Sequence, residues 1–196
     1  MKLALSLVFY YFMHSLLASL AVKRFFIQHL SVQNYRLFYS LLSVVLLAIP
    51  LNFYLKSASN NFFNTGIVGR FVFLTLALLS LRVFVLSFRR VRISEFLGFQ
   101  TTENTPLIVN GIYRHLRHPL YFATIALLAG LFIAIPSEKN LILLTITSLY
   151  VIIGAALEED RLIQQFGDKY VAYRSQTPML LPNDPLSFLR FVIRNP

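Results

Sequence analysis

The chain has 196 residues, of which 57% are hydrophobic and only 13% charged, and its formal net charge is +10. A soluble domain carries about 25% charged residues, so this composition excludes an ordinary soluble globule and points to an all-α, polytopic membrane protein. Cysteine is absent, which excludes a disulfide framework, a zinc–thiolate site, an iron–sulfur cluster and a cysteine nucleophile.

Five apolar stretches follow in chain order. The first runs from about Leu3 to Val22 and stops at Lys23-Arg24. It has no small-residue cleavage site behind it, so it reads as a retained helix rather than a secretory signal. The second covers about Leu37 to Leu55, and the third about Gly66 to Phe88, ending at Arg89-Arg90. A spanning helix needs roughly 20 residues, and these three reach that length. The fourth, about Leu120 to Ile135, and the fifth, about Leu141 to Leu157, are shorter. Only Pro136-Ser137-Glu138-Lys139-Asn140 joins them, which predicts a tight helical hairpin.

Basic residues set the expected orientation. The 23–36 loop, the 89–117 loop and the tail together hold thirteen Lys and Arg, whereas the segments on the other side hold only Lys2, Lys56 and Lys139. Loops rich in Lys and Arg stay in the cytoplasm. Five crossings then place the N-terminus outside and the C-terminus inside, in a prokaryotic inner membrane, with the polar 93–117 loop and the tail facing the cytoplasm. The arginines lie between apolar runs, without a basic helix or an aromatic RNA motif. The expected partners are therefore membrane lipids and not nucleic acid. No Gly-x-Gly-x-x-Gly run provides a dinucleotide or P-loop fingerprint.

The densest polar cluster is Gly111-Ile112-Tyr113-Arg114-His115-Leu116-Arg117-His118-Pro119-Leu120-Tyr121. Pro119 suits the first turn of a helix, where its missing N–H would be unpaired anyway. His118 then stands at the mouth of the fourth helix beside backbone N–H groups that favour anionic ligand groups. The alternative is a juxtamembrane cap, with arginines on headgroups and Tyr113 and Tyr121 in an aromatic belt. The second cluster, Glu158-Glu159-Asp160-Arg161, closes the fifth stretch. Acids at a helix C-terminus oppose the macrodipole, so a compensating cation is expected. It is Arg161, Arg114 or Arg117 across the hairpin, or a ligand ammonium. Both helix ends face the same side, which brings His118, Tyr121 and Glu158 to one level. The piece after Gly167 reads as a short amphipathic segment, and residues beyond Pro185 as a tail on the membrane surface. Within the spans, His14 and Arg82 are ionisable and are candidates on the substrate side. A hydrogen bond to a neighbouring helix would also explain His14, and snorkelling to the headgroups would explain Arg82.

Tyr113-x-x-x-Arg117-His118-Pro119-Leu120-Tyr121, a hairpin, Glu158-Glu159, Phe166-Gly167-x-x-Tyr170-x-x-Tyr173 and Pro178 resemble the integral membrane methyltransferases. This superfamily holds the isoprenylcysteine carboxyl methyltransferases and the phospholipid N-methyltransferases. The match covers about Glu95 to Pro182. His14-Ser15, Val22-Lys23-Arg24 and Phe96-Leu97-Gly98-Phe99-Gln100 look like its bacterial branch of methanethiol S-methyltransferases and NnrU-like proteins. The resemblance implies one domain over 1–196, with three N-terminal helices in 1–92 and the cofactor loop, hairpin and tail in 93–182. It implies S-adenosylmethionine as cofactor, held by Gln100, Leu107, Ile108, Tyr113, His118, Pro119, Leu120, Tyr121, Glu158 and Glu159. Catalytic residues and metal ligands are not assigned. The isoprenylcysteine enzymes carry an Arg one turn before the Glu, for the substrate carboxylate. Gly154 stands there in this chain, which favours a small or lipophilic acceptor, a thiol before an amine, a carboxylate or an alcohol. An NADPH-dependent sterol-type reductase and a non-catalytic transporter or assembly protein are the competing readings.

Overall fold

The computed structural model describes residues 1–58, 60–89 and 106–194. Among these residues the regular structure is helical, apart from one isolated bridge between Asn61 and Ser137. In chain order the α-helices are α1 (Lys2–Ala18), α2 (Leu20–Ile27), α3 (Val32–Lys56), α4 (Gly66–Phe88), α5 (Pro119–Ala134), α6 (Glu138–Phe166), α7 (Asp168–Gln176) and α8 (Pro185–Arg194). A 3-10 turn, Gly111–Arg114, precedes α5.

The third expected stretch has the bounds of α4, while the others differ in instructive ways. The first is broken. Ser19 leaves the helical conformation and caps α2 with its side chain, so α1 and α2 meet at a 55° bend. Ser31 does the same for α3, accepting a hydrogen bond from Asn34 N at 3.1 Å. A side-chain oxygen placed this way satisfies one of the free N–H groups of a helix start. By length and composition, α3, α4 and α6 can each cross a membrane, and the bent α1–α2 pair makes a fourth. The fifth expected crossing is the shortest. With 16 residues, α5 is about 24 Å long, short of the roughly 30 Å of a bilayer core.

The exposed surface fits this architecture. Leu41, Val44 and Val45 on α3, and Ile67, Val68 and Phe71 on α4, all stand more than 60% exposed. Such a belt suits lipid, because hydrocarbon solvates these side chains as well as a protein core does.

The most extensive helix pair is α4 with α5. Gly130 makes it possible, since a Cβ there would lie 3.1 Å from Leu76 Cβ and 3.4 Å from Phe73 Cα. The hairpin turn is tied to the rest by Asn140, whose amide donates to Ile135 O at 2.7 Å and accepts from Tyr54 Oη at 2.7 Å. Phe62 N also donates to Pro136 O at 2.7 Å. Met1, Lys2, Ser57, Ala58, Glu138 and Lys139 line one small pocket. The chain start, the α3–α4 loop and the hairpin turn therefore share one end of the molecule, and the functional clusters lie at the other.

Two further differences concern that other end. α6 continues past Leu157 to Phe166, so the acids sit inside the helix and not at its C-terminus. Good helix formers carry it on until Gly167, whose φ of +56° ends it. The tail also does more than lie on a membrane surface. α8 buries Phe188 and Val192 in a core with Val83, Leu86, Ile112, Leu116 and Ala123, which anchors it to α4, α5 and the 3-10 turn.

Candidate functional site

The backbone at the mouth of α5 is fixed first. Arg117 N donates to Pro178 O at 3.0 Å and His118 N donates to Met179 O at 3.1 Å. This two-rung ladder straps the tail across the entrance of the helix. Pro119 occupies the first turn of α5 and His118 is its N-cap, without a side-chain cap bond. Among the described residues, no side chain caps the N–H groups of that turn.

Arg117 is the hub. Its Nε donates to Glu159 Oε1 at 2.6 Å, and its Nη1 donates to the carbonyls of Arg174 and Thr177. Glu159 also meets His118 Nε2 at 3.2 Å and Arg174 Nε at 3.3 Å. Its side chain is 4% exposed. A charge buried to that degree persists only when paired and hydrogen-bonded, and here every partner is in place. The expected compensation of the acids is therefore met by Arg117 for Glu159.

Its neighbour Glu158 is different. Its side chain is 48% exposed. Tyr121 Oη donates to Glu158 Oε2 at 3.0 Å, and His118 Nδ1 lies 3.7 Å from the same oxygen. The rings of His118 and Tyr121 stack, with centroids 5.3 Å apart and planes 7° apart. Tyr113 completes this wall. Burial first, and the Glu158 charge second, push its phenol up to about 12, so it remains an O–H donor at physiological pH. Tyr173 Oη donates to Tyr113 O at 2.6 Å and locks the 3-10 turn to α7.

These groups open into a cavity of about 700 Å³, within the range of about 300–1,000 Å³ typical of small-molecule sites. Arg117, His118, Pro119, Leu120, Tyr121, Tyr113 and Glu158 line it from the hairpin side. His14, Tyr39, Ser40, Ser43 and Tyr150 line it from α1, α3 and α6. His14 Nε2 lies 2.7 Å from Tyr39 Oη, and its Nδ1 lies 3.2 Å from Ser43 Oγ. The structure thus brings His14 into the same cavity as the hairpin cluster.

The remaining expected residues fall elsewhere. Arg82 Nε donates to Val192 O at 3.0 Å, and Arg82 lines a separate groove between α4 and α8. Leu107 and Ile108 are half-buried in irregular chain before the 3-10 turn, apart from the cavity lining described above. Gln100 lies outside the described residues. Sequence reasoning left Tyr39, Ser43 and Tyr150 unassigned. Their signal was the recurrence of polar side chains within apolar spans: Tyr10, Tyr11, His14 and Ser15 on α1, Tyr39, Ser40 and Ser43 on α3, Thr147 and Tyr150 on α6.

The donor set fits a zwitterionic ligand with a cationic centre. Among the described residues Glu158 accepts from Tyr121 and lies near His118, and it has the exposure to receive an ammonium. The uncapped start of α5 suits a carboxylate. The aromatic rings of Tyr113, Tyr121, Tyr39 and Tyr150 around the cavity suit a sulfonium or another soft cation.

The family model of the NnrU protein matches residues 2–188, and the chain belongs to that family. Curated relatives are named methanethiol S-methyltransferase. One from Crocosphaera subtropica is 35% identical over 89 residues, which cover 44% of this chain and 34% of the relative. One from Bradyrhizobium diazoefficiens is 38% identical over 80 residues, covering 40% and 25%. A third, from Pseudomonas deceptionensis, is 35% identical over 81 residues, covering 40% and 28%. The matched regions therefore span about a third or less of each relative's length. No solved structure matches this chain.

Proposed function

We propose that this protein is an integral membrane methyltransferase that uses S-adenosylmethionine and methylates a small or lipophilic thiol. The observation that carries this reading is the single cavity joining the Glu158–Tyr121–His118 cluster to the His14–Tyr39 chamber. When bound, the cofactor supplies an electrophilic methyl group on a sulfonium. Glu158 would hold its ammonium and the start of α5 its carboxylate. Tyr113 and Tyr121, kept neutral, would provide aromatic faces beside the cation.

Methyl transfer is an in-line displacement whose rate comes mainly from alignment. The cavity walls would do this by gripping the cofactor from the hairpin side and the acceptor from the α1–α3 side, so that methyl and acceptor sulfur meet between them. The acceptor class follows from the charges present. The arginine lining the cavity, Arg117, is tied to Glu159 and two carbonyls. At Gly154 a Cβ would meet nothing within 4 Å. That position, one turn before Glu158 on α6, is open and uncharged. A carboxylate acceptor would find no unengaged arginine on the described walls, whereas a neutral thiol needs none. The names of the relatives support the same class.

The thirteen-to-three split of basic residues supports a cytoplasmic cofactor entrance and an outer N-terminus in a prokaryotic inner membrane. Because the chain lacks cysteine, single cysteines at position 57 or 183 can be labelled from either side to test this directly.

The decisive experiment is calorimetry of the detergent-purified protein with S-adenosylmethionine. Micromolar binding is expected, weakened about tenfold or more in Glu158→Gln, as fits loss of a charge-assisted contact. A folded wild type that binds no S-adenosylmethionine overturns the reading, and binding of NADPH instead would favour a reductase.

A further inference from the structure

The two ring nitrogens of His118 face the carboxylates of Glu159 and Glu158, so no lone pair of that ring is turned toward an acceptor. The imidazole at the other end of the cavity is placed differently. His14 meets only hydroxyls in its described polar contacts: Tyr39 Oη at 2.7 Å from Nε2 and 3.2 Å from Nδ1, and Ser43 Oγ at 3.2 Å from Nδ1. Tyr39, Tyr10 and Tyr150 surround it with ring centroids 5.1, 5.9 and 6.3 Å away. Tyr150 is in turn fixed by stacking on Tyr11 at 4.1 Å and by a hydrogen bond from Ser15 Oγ at 3.2 Å. Tyr11 meets Thr147 Oγ1 at 2.7 Å. This is a built, uncharged chamber, with a base in it and hydroxyls on its walls.

We infer that His14, relayed through Tyr39, takes up the proton released by the thiol during methyl transfer. The inference rests on the methyltransferase reading above. In the tautomer with hydrogen on Nδ1, that N–H donates to Ser43 Oγ and Tyr39 Oη donates to Nε2. As the acceptor sulfur–carbon bond forms and the donor sulfur–carbon bond breaks, the proton on the acceptor sulfur moves to Tyr39 Oη. The original Tyr39 proton moves to His14 Nε2. Tyr39 Oη also lies 3.2 Å from Nδ1, to the side of the Nε2 lone pair, so the imidazole turns toward the hydroxyl as it takes the proton. The net charge of the cavity does not change, because one positive charge is lost at the sulfonium and one is gained at His14. Conserving charge matters in an apolar enclosure, where creating or removing an unpaired ion is costly. The three tyrosine rings stabilise the cation once it resides on His14.

His14 is thus the terminal base and Tyr39 the group that meets the acceptor. The titratable groups facing His14 are Tyr10 of α1, Tyr39 of α3 and Tyr150 of α6. His118, Tyr121, Tyr113 and Glu158 border the same cavity farther along.

The test uses the full-length protein in detergent, with two acceptors. Ethanethiol is protonated at neutral pH, whereas thiophenol is largely ionised and has no proton to give up. For His14→Gln, S-adenosylmethionine affinity by calorimetry should stay within about twofold of wild type, since the variant does not touch the proposed cofactor end. Turnover of ethanethiol should fall about 100-fold, the lower end of general-base contributions, and should recover as pH rises. Turnover of thiophenol should change little. Tyr39→Phe keeps the ring and serves as the second variant should His14→Gln fail to fold. It should show the same selective loss.

Equal loss on both thiols at unchanged cofactor affinity would overturn the proton role and leave only positioning. Undiminished ethanethiol turnover in both variants would also overturn it, as would a wild type that binds cofactor but methylates neither thiol. A wild type that binds no cofactor sinks the parent reading instead, and the calorimetry shows that before any turnover is measured.

Discussion

At the hairpin end of the cavity, position is held by charge. Arg117, His118 and Arg174 converge on the buried Glu159, and the tail is strapped over them. At the N-terminal end it is held by neutral hydroxyls and stacked rings around His14. The difference teaches how one cavity can grip a charged ligand at one end and carry an uncharged acceptor at the other. Charge that is fully paired makes a rigid frame and is unavailable to ligands. The groups left for chemistry are the half-exposed Glu158 and the His14–Tyr39 pair.

The sharpest way to break this comparison is at the frame. Glu159→Gln leaves Arg117 buried without its anionic partner, and removing one member of a buried pair costs about 3–5 kcal/mol. We expect a large drop in the unfolding temperature in detergent. A drop no larger than that of a surface substitution would show that Arg117 is not held as described. Glu158→Gln, one residue away, should leave the unfolding temperature within the range of surface changes, about 0.5 kcal/mol, while S-adenosylmethionine affinity falls. Reversed effects in the two variants would exchange the roles of frame and ligand group. Tyr39→Phe tests the neutral end: loss of one hydrogen bond costs about 1 kcal/mol, with cofactor affinity unchanged.

The smallest effect concerns Tyr113. Its phenol titrates near 12 in the fold against 10 ordinarily. The folded state thus holds its proton more tightly than the unfolded state. The stability this contributes is complete below pH 10 and is lost as pH rises toward 12. Tyr113→Phe should flatten that part of the unfolding-temperature profile, and an unchanged slope would assign it to other tyrosines, of which Tyr170 is also pushed up to about 12, chiefly by burial.

Much of the helical plan was legible because apolar runs announce themselves. α4 is bounded by Thr65-Gly66 and Arg89, and its limits could be read directly. The break at Ser19 could not, because a serine inside an apolar run is compatible with a continuous helix until its own φ and ψ are known. The extension of α6 was hidden by its change from apolar to charged residues, which alters hydropathy but not helix propensity. His118, Tyr121 and Glu158 were legible as a local motif plus a hairpin. The His14–Tyr39–Ser43 set was not, since its members come from different helices and meet only through packing. Arg82 shows the converse: an ionisable residue in a span whose Nε donates to the backbone of α8.

The strap over the hairpin also has a consequence for how the protein is made. Arg117 donates to Thr177 O, 60 residues downstream, and its backbone N–H waits for Pro178. When α5 and α6 leave the ribosome, the guanidinium has Glu159 but not yet the carbonyls that complete its set. The pocket wall is therefore finished only once the segment around Thr177 and Pro178 has followed α5 and α6 out of the ribosome. A nascent chain stalled or cut between α6 and α7 would carry a full bundle with an open, half-satisfied arginine. Quality-control proteases would find that end frayed.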